Sequence, residues 1–411
     1  MSTRAVTFGM VISLVIAGVV HAGSNCGPNR LVMFAGFQTC ISGHGLPPLD
    51  PNCLNFDFDD DFDVDLADYV GFLKPTFGTD PYAIATNLRA AALGDLDADG
   101  DRDLVVAGDQ IYVLLNQGDG SFAPPAPFPA GVTNRSPVIV DLDGNSAGDV
   151  IVADSGSANI WILLNEGGGT FGQALNIPVS GPTSSVAAAD LDGDSDIDFA
   201  ATRWFNPEAF ILENQGAAGF AATVLPQVGF SKLSMTAADL DGDEDIDLAA
   251  VDQPHDAVRW LNNGGGSFSG TEFFAGDSLA QLAIGDLDHD ADADFALAMI
   301  PYVSVLLNDG DAGFSPPSFY FMGGDIVSLV SIALADLDSD GDLDAAGANQ
   351  PGGSMVYSLN DGSAMFSSGT GVPSGTSTRW VVAADLDGDA DPDVVTVNAA
   401  TVTVMLNGCV P

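Results

Sequence analysis

An Asp-Leu-Asp triplet begins at Asp95, Asp141, Asp190, Asp239, Asp286, Asp336 and Asp385, at intervals of 46 to 50 residues. Each triplet opens a nine-residue segment of the form D-x-D-x-D-x-x-x-D, and of the 28 side chains at positions 1, 3, 5 and 9 all but Asn145 are aspartate. Self-similarity at a period of about 20–50 residues means that the chain stacks copies of one small unit, so the repeat constrains the fold before any single element is read.

After each acidic segment comes a β-type run such as Leu104 to Ala107 or Val394 to Val397, then a polar turn and a second apolar run that ends at an Asn. These are Asn116, Asn165, Asn214, Asn262, Asn308, Asn360 and Asn407. A Gly-rich turn and a Phe follow six residues beyond the Asn, at Phe122, Phe171, Phe220, Phe268, Phe314 and Phe366. Each unit therefore holds about four short strands, the content of one propeller blade. The 48 Gly and 23 Pro suit many tight turns, and the predicted class is all-β.

The combination of D-L-D-x-D loop, L-N-x-G turn and trailing Phe resembles the FG-GAP/VCBS repeat family, whose better-known relatives are the integrin α-chain propellers. The resemblance covers roughly residues 80 to 411 and implies a seven-bladed β-propeller of four-stranded blades, with calcium in the loop joining the first two strands of a blade. The literal Phe-Gly-Gly-Ala-Pro string of the integrin repeats is absent.

The chemistry of the loops points the same way. A hard cation taking six to eight oxygens at about 2.3–2.6 Å is served by alternating carboxylates on a curled loop. Position 1 is the opening Asp of each triplet. Position 3 is Asp97, Asp143, Asp192, Asp241, Asp288, Asp338 and Asp387, and position 5 is Asp99, Asn145, Asp194, Asp243, Asp290, Asp340 and Asp389. Position 9 is Asp103, Asp149, Asp198, Asp247, Asp294, Asp344 and Asp393. Position 7 (Asp101, Ala147, Asp196, Asp245, Asp292, Asp342, Asp391) tolerates Ala because it is expected to offer its backbone carbonyl. Magnesium demands a stricter octahedron, and zinc asks for His or Cys, which the loops lack apart from His289 at an outward position. About seven Ca2+ ions are expected in the propeller.

The formal charge of −47 excludes a nucleic-acid binder, which needs the Lys and Arg that this chain scarcely has. It is also concentrated: 41 of 57 acidic side chains fall in the seven loops and in the stretch Asp57 to Asp68. The remaining surface is ordinary, so the charge serves ions rather than general solubility.

Residues 1–22 combine Arg4, an apolar run from Val11 to Val20 and small Ala22 before Gly23, the layout of a cleaved secretory signal. The apolar stretch is shorter than the roughly 20 residues that a spanning helix needs. Cys26, Cys40, Cys53 and Cys409 follow, an even count that favours disulfides in an exported chain. Of three connectivities, Cys40 to Cys53 with Cys26 to Cys409 is preferred.

Between signal and propeller, residues 23–79 form a separate module. Read as a 12-residue calcium loop, Asp57, Asp59, Asp61, Asp63 through its carbonyl, Asp65 and Asp68 resemble one half of a bacterial dockerin type I repeat, followed by the amphipathic Tyr69 to Leu73. Leu31 to Cys40 resembles the helix of another half, and Phe62 stands where such loops place Gly. The segment either binds one further ion or caps the next helix as an acidic turn. The resemblance implies a small α-helical, EF-hand-like module that docks to another protein or a cell-surface assembly.

Three functional readings are open. The first is a secreted binding and adhesion scaffold for an extracellular protein or glycan, with structural calcium. The second is a structural component carried into an assembly by the dockerin-like module. The third is a polysaccharide-active enzyme, disfavoured because the mature chain has only His44, His255 and His289 and no paired acid and base at recognisable spacing. Arg203-Trp204-Phe205-Asn206 and Gln253-Pro254-His255-Asp256 interrupt the repeat between second and third strands. Aromatics there either meet a ligand or cover a blade edge, and Trp161, Trp260 and Trp380 fall within strand patterns expected to pack between blades.

The seventh repeat reaches Asn407 without a following Phe or outer strand. Phe77-Gly-Thr reads like Phe171-Gly-Gln, and residues 80–87 are predicted to supply the missing outermost strand, because an unclosed ring would leave an exposed edge.

Overall fold

The computed structural model describes residues 77–407, apart from 86, 205, 217–218, 254–255 and 324–327. The expected signal peptide, the four cysteines, and residues 23–76 of the dockerin-like module, Asp57 to Asp68 among them, lie outside the described residues, while residues 77–79 belong to a strand of the propeller. Strands and turns account for the described part, in seven four-stranded antiparallel sheets. In the first blade the strands are Ala90–Gly94, Asp103–Ala107, Ile111–Leu114 and Ala126–Phe128, paired in chain order from the axis outward.

The strands differ in burial as a propeller requires. The second strands Asp103–Ala107, Asp149–Asp154, Asp294–Ala298, Asp344–Asn349 and Asp393–Val397 are buried at every position, because each lies between two neighbouring blades. Outermost strands such as Leu175–Pro178 and Thr370–Pro373 are largely exposed. Apolar packing divides into seven clusters among the described residues, each joining adjacent blades. Trp260 is wholly buried in the cluster between the third and fourth blades, its indole N–H donating to the Pro226 carbonyl at 2.8 Å. Trp161 and Trp380 pack against the clusters between the first and second and between the seventh and first blades.

The ring closes through a strand from before the first blade. Phe77–Ala83 pairs antiparallel with Thr401–Asn407, from Phe77 opposite Asn407 to Ala83 opposite Thr401. The strand is therefore displaced toward the N-terminus of the expected 80–87. The register explains this, since every other blade also sets its trailing Phe opposite its Asn, as in Asn116 with Phe122 and Asn214 with Phe220. Phe77 meets the Tyr357 ring edge-on at 5.7 Å on one side, and Tyr82 accepts from the Phe122 backbone N–H at 3.2 Å on the other.

Candidate metal centres

Each acidic loop joins the first strand of a blade to the second, the place the sequence assigned to it, and each second strand begins at the position 9 Asp. Two residues per loop bend the chain. Position 4 has φ between 60° and 82° and position 6 between 70° and 100° in all seven loops, although eight of these fourteen residues are not glycine. Left-handed backbone at residues such as Ala98, Glu244 and Ala390 costs free energy and persists where the surroundings enforce it. Hydrogen bonds to position 1 do so: Asp95 accepts from the backbone N–H groups of Ala98 and Gly100, and Asp385 from those of Gly388 and Ala390. Position 5 accepts from the position 7 N–H, as in Asp99 with Asp101 and Asn145 with Ala147, so amide and carboxylate serve alike there.

This curl gathers the carboxylates. In the first five loops three of them place oxygens within 4.8 Å of one another: Asp95, Asp97 and Asp99; Asp141, Asp143 and Asp149; Asp190, Asp192 and Asp194; Asp239, Asp241 and Asp247; Asp286, Asp288 and Asp290. Two carboxylates about 4 Å apart repel by roughly 4 kcal/mol at an effective dielectric near 20. An oxygen of Asp97, Asp241, Asp288 and Asp338, all at position 3, and one of Asp286 are buried with no hydrogen-bond partner. Burial, then the neighbouring Asp340 and Asp336, pushes the Asp338 carboxyl up to about 7, and burial and Asp389 push Asp387 up to about 6. Crowded, desolvated carboxylate oxygens without donors fit a hard, oxygen-seeking cation.

Position 9 has a second role that the sequence did not reveal. All seven of these aspartates are fully buried. One oxygen accepts from the position 2 leucine N–H and the other from the N–H of the conserved-spacing Asn, as Asp103 does from Leu96 and Asn116 at 2.7 Å each. Burial raises Asp103, Asp247 and Asp294 to about 6, Asp344 to about 7 and Asp393 to about 8, against these two donors. The carboxylate thus pins loop to third strand, and two amides still leave lone pairs for a cation.

The Asn side chains then link the blades. Each donates to the carbonyl of the position 2 leucine in the preceding blade's loop: Asn165 to Leu96, Asn214 to Leu142, Asn262 to Leu191, Asn308 to Leu240, Asn360 to Leu287 and Asn407 to Leu337. Asn116 completes the ring by donating to Leu386 at 2.8 Å. The sequence marked these Asn residues by spacing, but their partners lie 68 to 73 residues away or across the ring closure. Two loops also touch the next: the exposed His289 bonds Asp342, and the Ser339 hydroxyl donates to Asp391 at 2.6 Å.

Among the interruptions of the repeat, Arg203 is held by Glu208 at 2.6 Å and by the Ser180 carbonyl at 2.7 Å. Trp204 turns toward the axis beneath the Arg135 guanidinium, 4.6 Å from its ring centre. Phe205 and His255 lie outside the described residues.

The FG-GAP-like repeat family matches residues 95–152, 141–201 and 336–396. The chain carries FG-GAP-like repeats. No curated protein matches it in sequence. Solved structures share the fold, among them an Agrocybe aegerita lectin described for recognition of non-reducing terminal N-acetylglucosamine, 22% identical with a TM-score of 0.53 over 77% of this chain and 87% of that one. Virginiamycin B lyase from Staphylococcus aureus is 10% identical with a TM-score of 0.57, over 80% of this chain and 99% of that one. Among the described residues no helix is long and apolar enough to cross a membrane.

Proposed function

We propose that this chain is a secreted, calcium-stabilised propeller that acts as a binding and adhesion scaffold for an extracellular protein or glycan. The observation that carries the reading is the set of buried position 3 oxygens without donors, inside carboxylate clusters repeated around one face. Positions 1, 3 and 5, the position 7 carbonyl and the spare lone pairs of position 9 would hold each ion. Bound calcium supplies positive charge that cancels the repulsion within a loop. The chain's own groups do the rest: position 1 holds the curl, position 9 pins the loop to its blade, and Asn ties it to the preceding blade.

Because the acidic loops are engaged in holding the ring, the opposite face is the one available to a partner. The A. aegerita lectin supports a glycan as one class of ligand for a propeller of this shape. We assign no catalytic role to the chain, since Arg203 is engaged by Glu208 and the clustered carboxylates are placed for ions. A glycan and extracellular-protein binding screen, run with calcium and again with chelator, tests the reading. Calcium-dependent capture of a defined ligand is expected. Turnover of acidic or neutral polysaccharides, abolished by a single substitution at Arg203 or His255, would overturn it.

A further inference from the structure

The inner strands have two ends. One runs into the acidic loops, and the other surrounds a cavity of about 360 Å³ on the propeller axis. The residue six before each Asp-Leu-Asp triplet lines that cavity in every blade: Arg89, Arg135, Ser184, Leu233, Ala280, Val330 and Arg379. The three arginines belong to the seventh, first and second blades, which are consecutive around the ring, so they form one cationic arc facing the apolar Leu233, Ala280 and Val330. No carboxylate among the described residues lines the cavity. The chain has ten basic residues in all, and three of them meet here without a carboxylate among the described lining residues.

Two members of the arc are held in place. Arg135 is stacked on Trp204 and donates from Nε to the Ser155 hydroxyl at 2.9 Å, and Arg379 donates to the Leu88 carbonyl at 2.8 Å. The Nε groups of Arg89 and Arg379 are buried and have no acceptor. Burial, then repulsion from Arg89 and Arg379, pulls Arg135 down to about 10, which leaves it charged at neutral pH. Half-buried like charges with unmet donors are costly until an anion arrives, and a guanidinium fork suits carboxylate or sulfate oxygens. Beside the arc stand Ser136, Ser184, Ser185 and Ser234, the hydroxyls of Ser136 and Ser185 bonded to each other at 3.0 Å and that of Ser184 to Thr202 at 2.8 Å. The volume is at the small end of the roughly 300–1,000 Å³ typical of small-molecule sites. The acidic loops lie a strand's length away, roughly 17 Å for five residues, beyond a Debye length of about 8 Å in physiological salt. The local arginines therefore decide what binds.

We propose that this axial cavity binds an acidic saccharide residue, with its carboxylate or sulfate group among Arg89, Arg135 and Arg379, its hydroxyls toward the serines and its C–H face toward Leu233, Ala280 and Val330. The assignment rests on the binding-scaffold reading and names the ligand class for it. Both acid groups use the same oxygens, and separate arms tell them apart.

Calorimetric titration of the full chain in calcium should use a uronic-acid disaccharide, a sulfated monosaccharide, a neutral disaccharide, inorganic sulfate, octanoate and an acetylated acidic peptide. At least one acidic sugar should bind tenfold or more tighter than the neutral one, inorganic sulfate, octanoate and the peptide. Arg135→Gln and Arg89→Gln should each weaken it at least tenfold, while calcium content stays unchanged and the melting temperature does not fall. If either variant loses the fold, the unaltered chain still decides through the preference for acidic over neutral sugar and its weakening with added salt. Equal binding of neutral sugar, tighter binding of bare sulfate, octanoate or peptide, or arginine variants that bind like the parent would overturn the assignment. Ligands captured in the broader screen but indifferent to both arginine substitutions would sink the axial site alone. A screen with no captured ligand would sink the scaffold reading with it.

Discussion

The two ends of the inner strands obey opposite rules. At the acidic end every blade repeats the same parts: a position 1 Asp that holds the curl, a buried position 9 Asp, and an Asn that reaches the preceding loop. At the axial end the equivalent positions run Arg, Arg, Ser, Leu, Ala, Val, Arg. Residues that close the ring must meet the same neighbour in every blade, so they cannot vary. Residues that face the axis meet one another and whatever enters, so they are free to differ.

The largest effect that separates the two ends is ring closure. Deleting residues 77–83 leaves Thr401–Asn407 as an exposed edge and removes the contacts of Phe77 and Tyr82 with the flanking blades. Loss of a single cooperative transition, or aggregation, is expected in thermal unfolding, whereas deleting residues 23–70 should leave it intact. A harmless first deletion would break the closure account.

Next come the pins and latches. Asp344→Asn replaces an acceptor of the Leu337 and Asn360 N–H groups by an amide that can satisfy only one of them. Asn262→Ala removes donors to the Leu191 and Ile246 carbonyls at 3.0 and 3.2 Å. In chelator each should cost about 1–3 kcal/mol in urea unfolding, because a buried polar group is left unpaired. By contrast Val330→Ala at the axial end is expected to cost less than about 1 kcal/mol, the partly exposed side chain having less to lose.

A smaller effect changes sign with the metal. Asp338→Asn removes a crowded carboxylate whose oxygen lacks a donor, so in chelator it should raise the melting temperature slightly. In calcium it should lower it and release one ion. A destabilisation of equal size in both conditions would make position 3 a structural residue rather than a ligand.

The pH dependence sharpens the same point. In metal-free protein Asp103, Asp247, Asp294, Asp344 and Asp393 have folded values of about 6 to 8, above the ordinary carboxylate range. Their contribution is fully present below the unfolded value and is lost as pH rises through the folded one. Without calcium the melting temperature should therefore rise as pH is lowered from 8 to 5. With calcium it should fall over the same range, since acid competes with the ion for the carboxylates.

Much of this was legible in the sequence for a physical reason. The acidic loops, the Asn and the Phe recur because each copy must satisfy the same neighbours, and a period is visible without any structure. The closing strand could be read because the seventh unit lacks its Phe and Phe77 stands ready upstream. Its bounds shifted because the Phe77 to Asn407 pair sets the register, and the pairing runs out after Ala83 with one last bond from the Ile84 N–H to the Ala400 carbonyl. The Asn latches were not legible, since only the ring brings Asn116 to Leu386. The arginine arc left a signal that went unread: Arg89, Arg135 and Arg379 hold one repeat position, and joining the seventh blade to the first makes them neighbours. A reading that looks for what recurs passes over the position where the copies differ.

The central claim is that the acidic end of the ring is held by calcium. Metal analysis after exhaustive dialysis into dilute calcium, paired with melting in excess chelator, tests it most directly. About seven ions in the propeller are expected. If each site has a dissociation constant tenfold below ambient calcium, occupancy adds about 1.4 kcal/mol per site, so chelator should lower the melting temperature by roughly 10–20 °C. Fewer than four ions, or a melting temperature that chelator leaves unmoved, would contradict it.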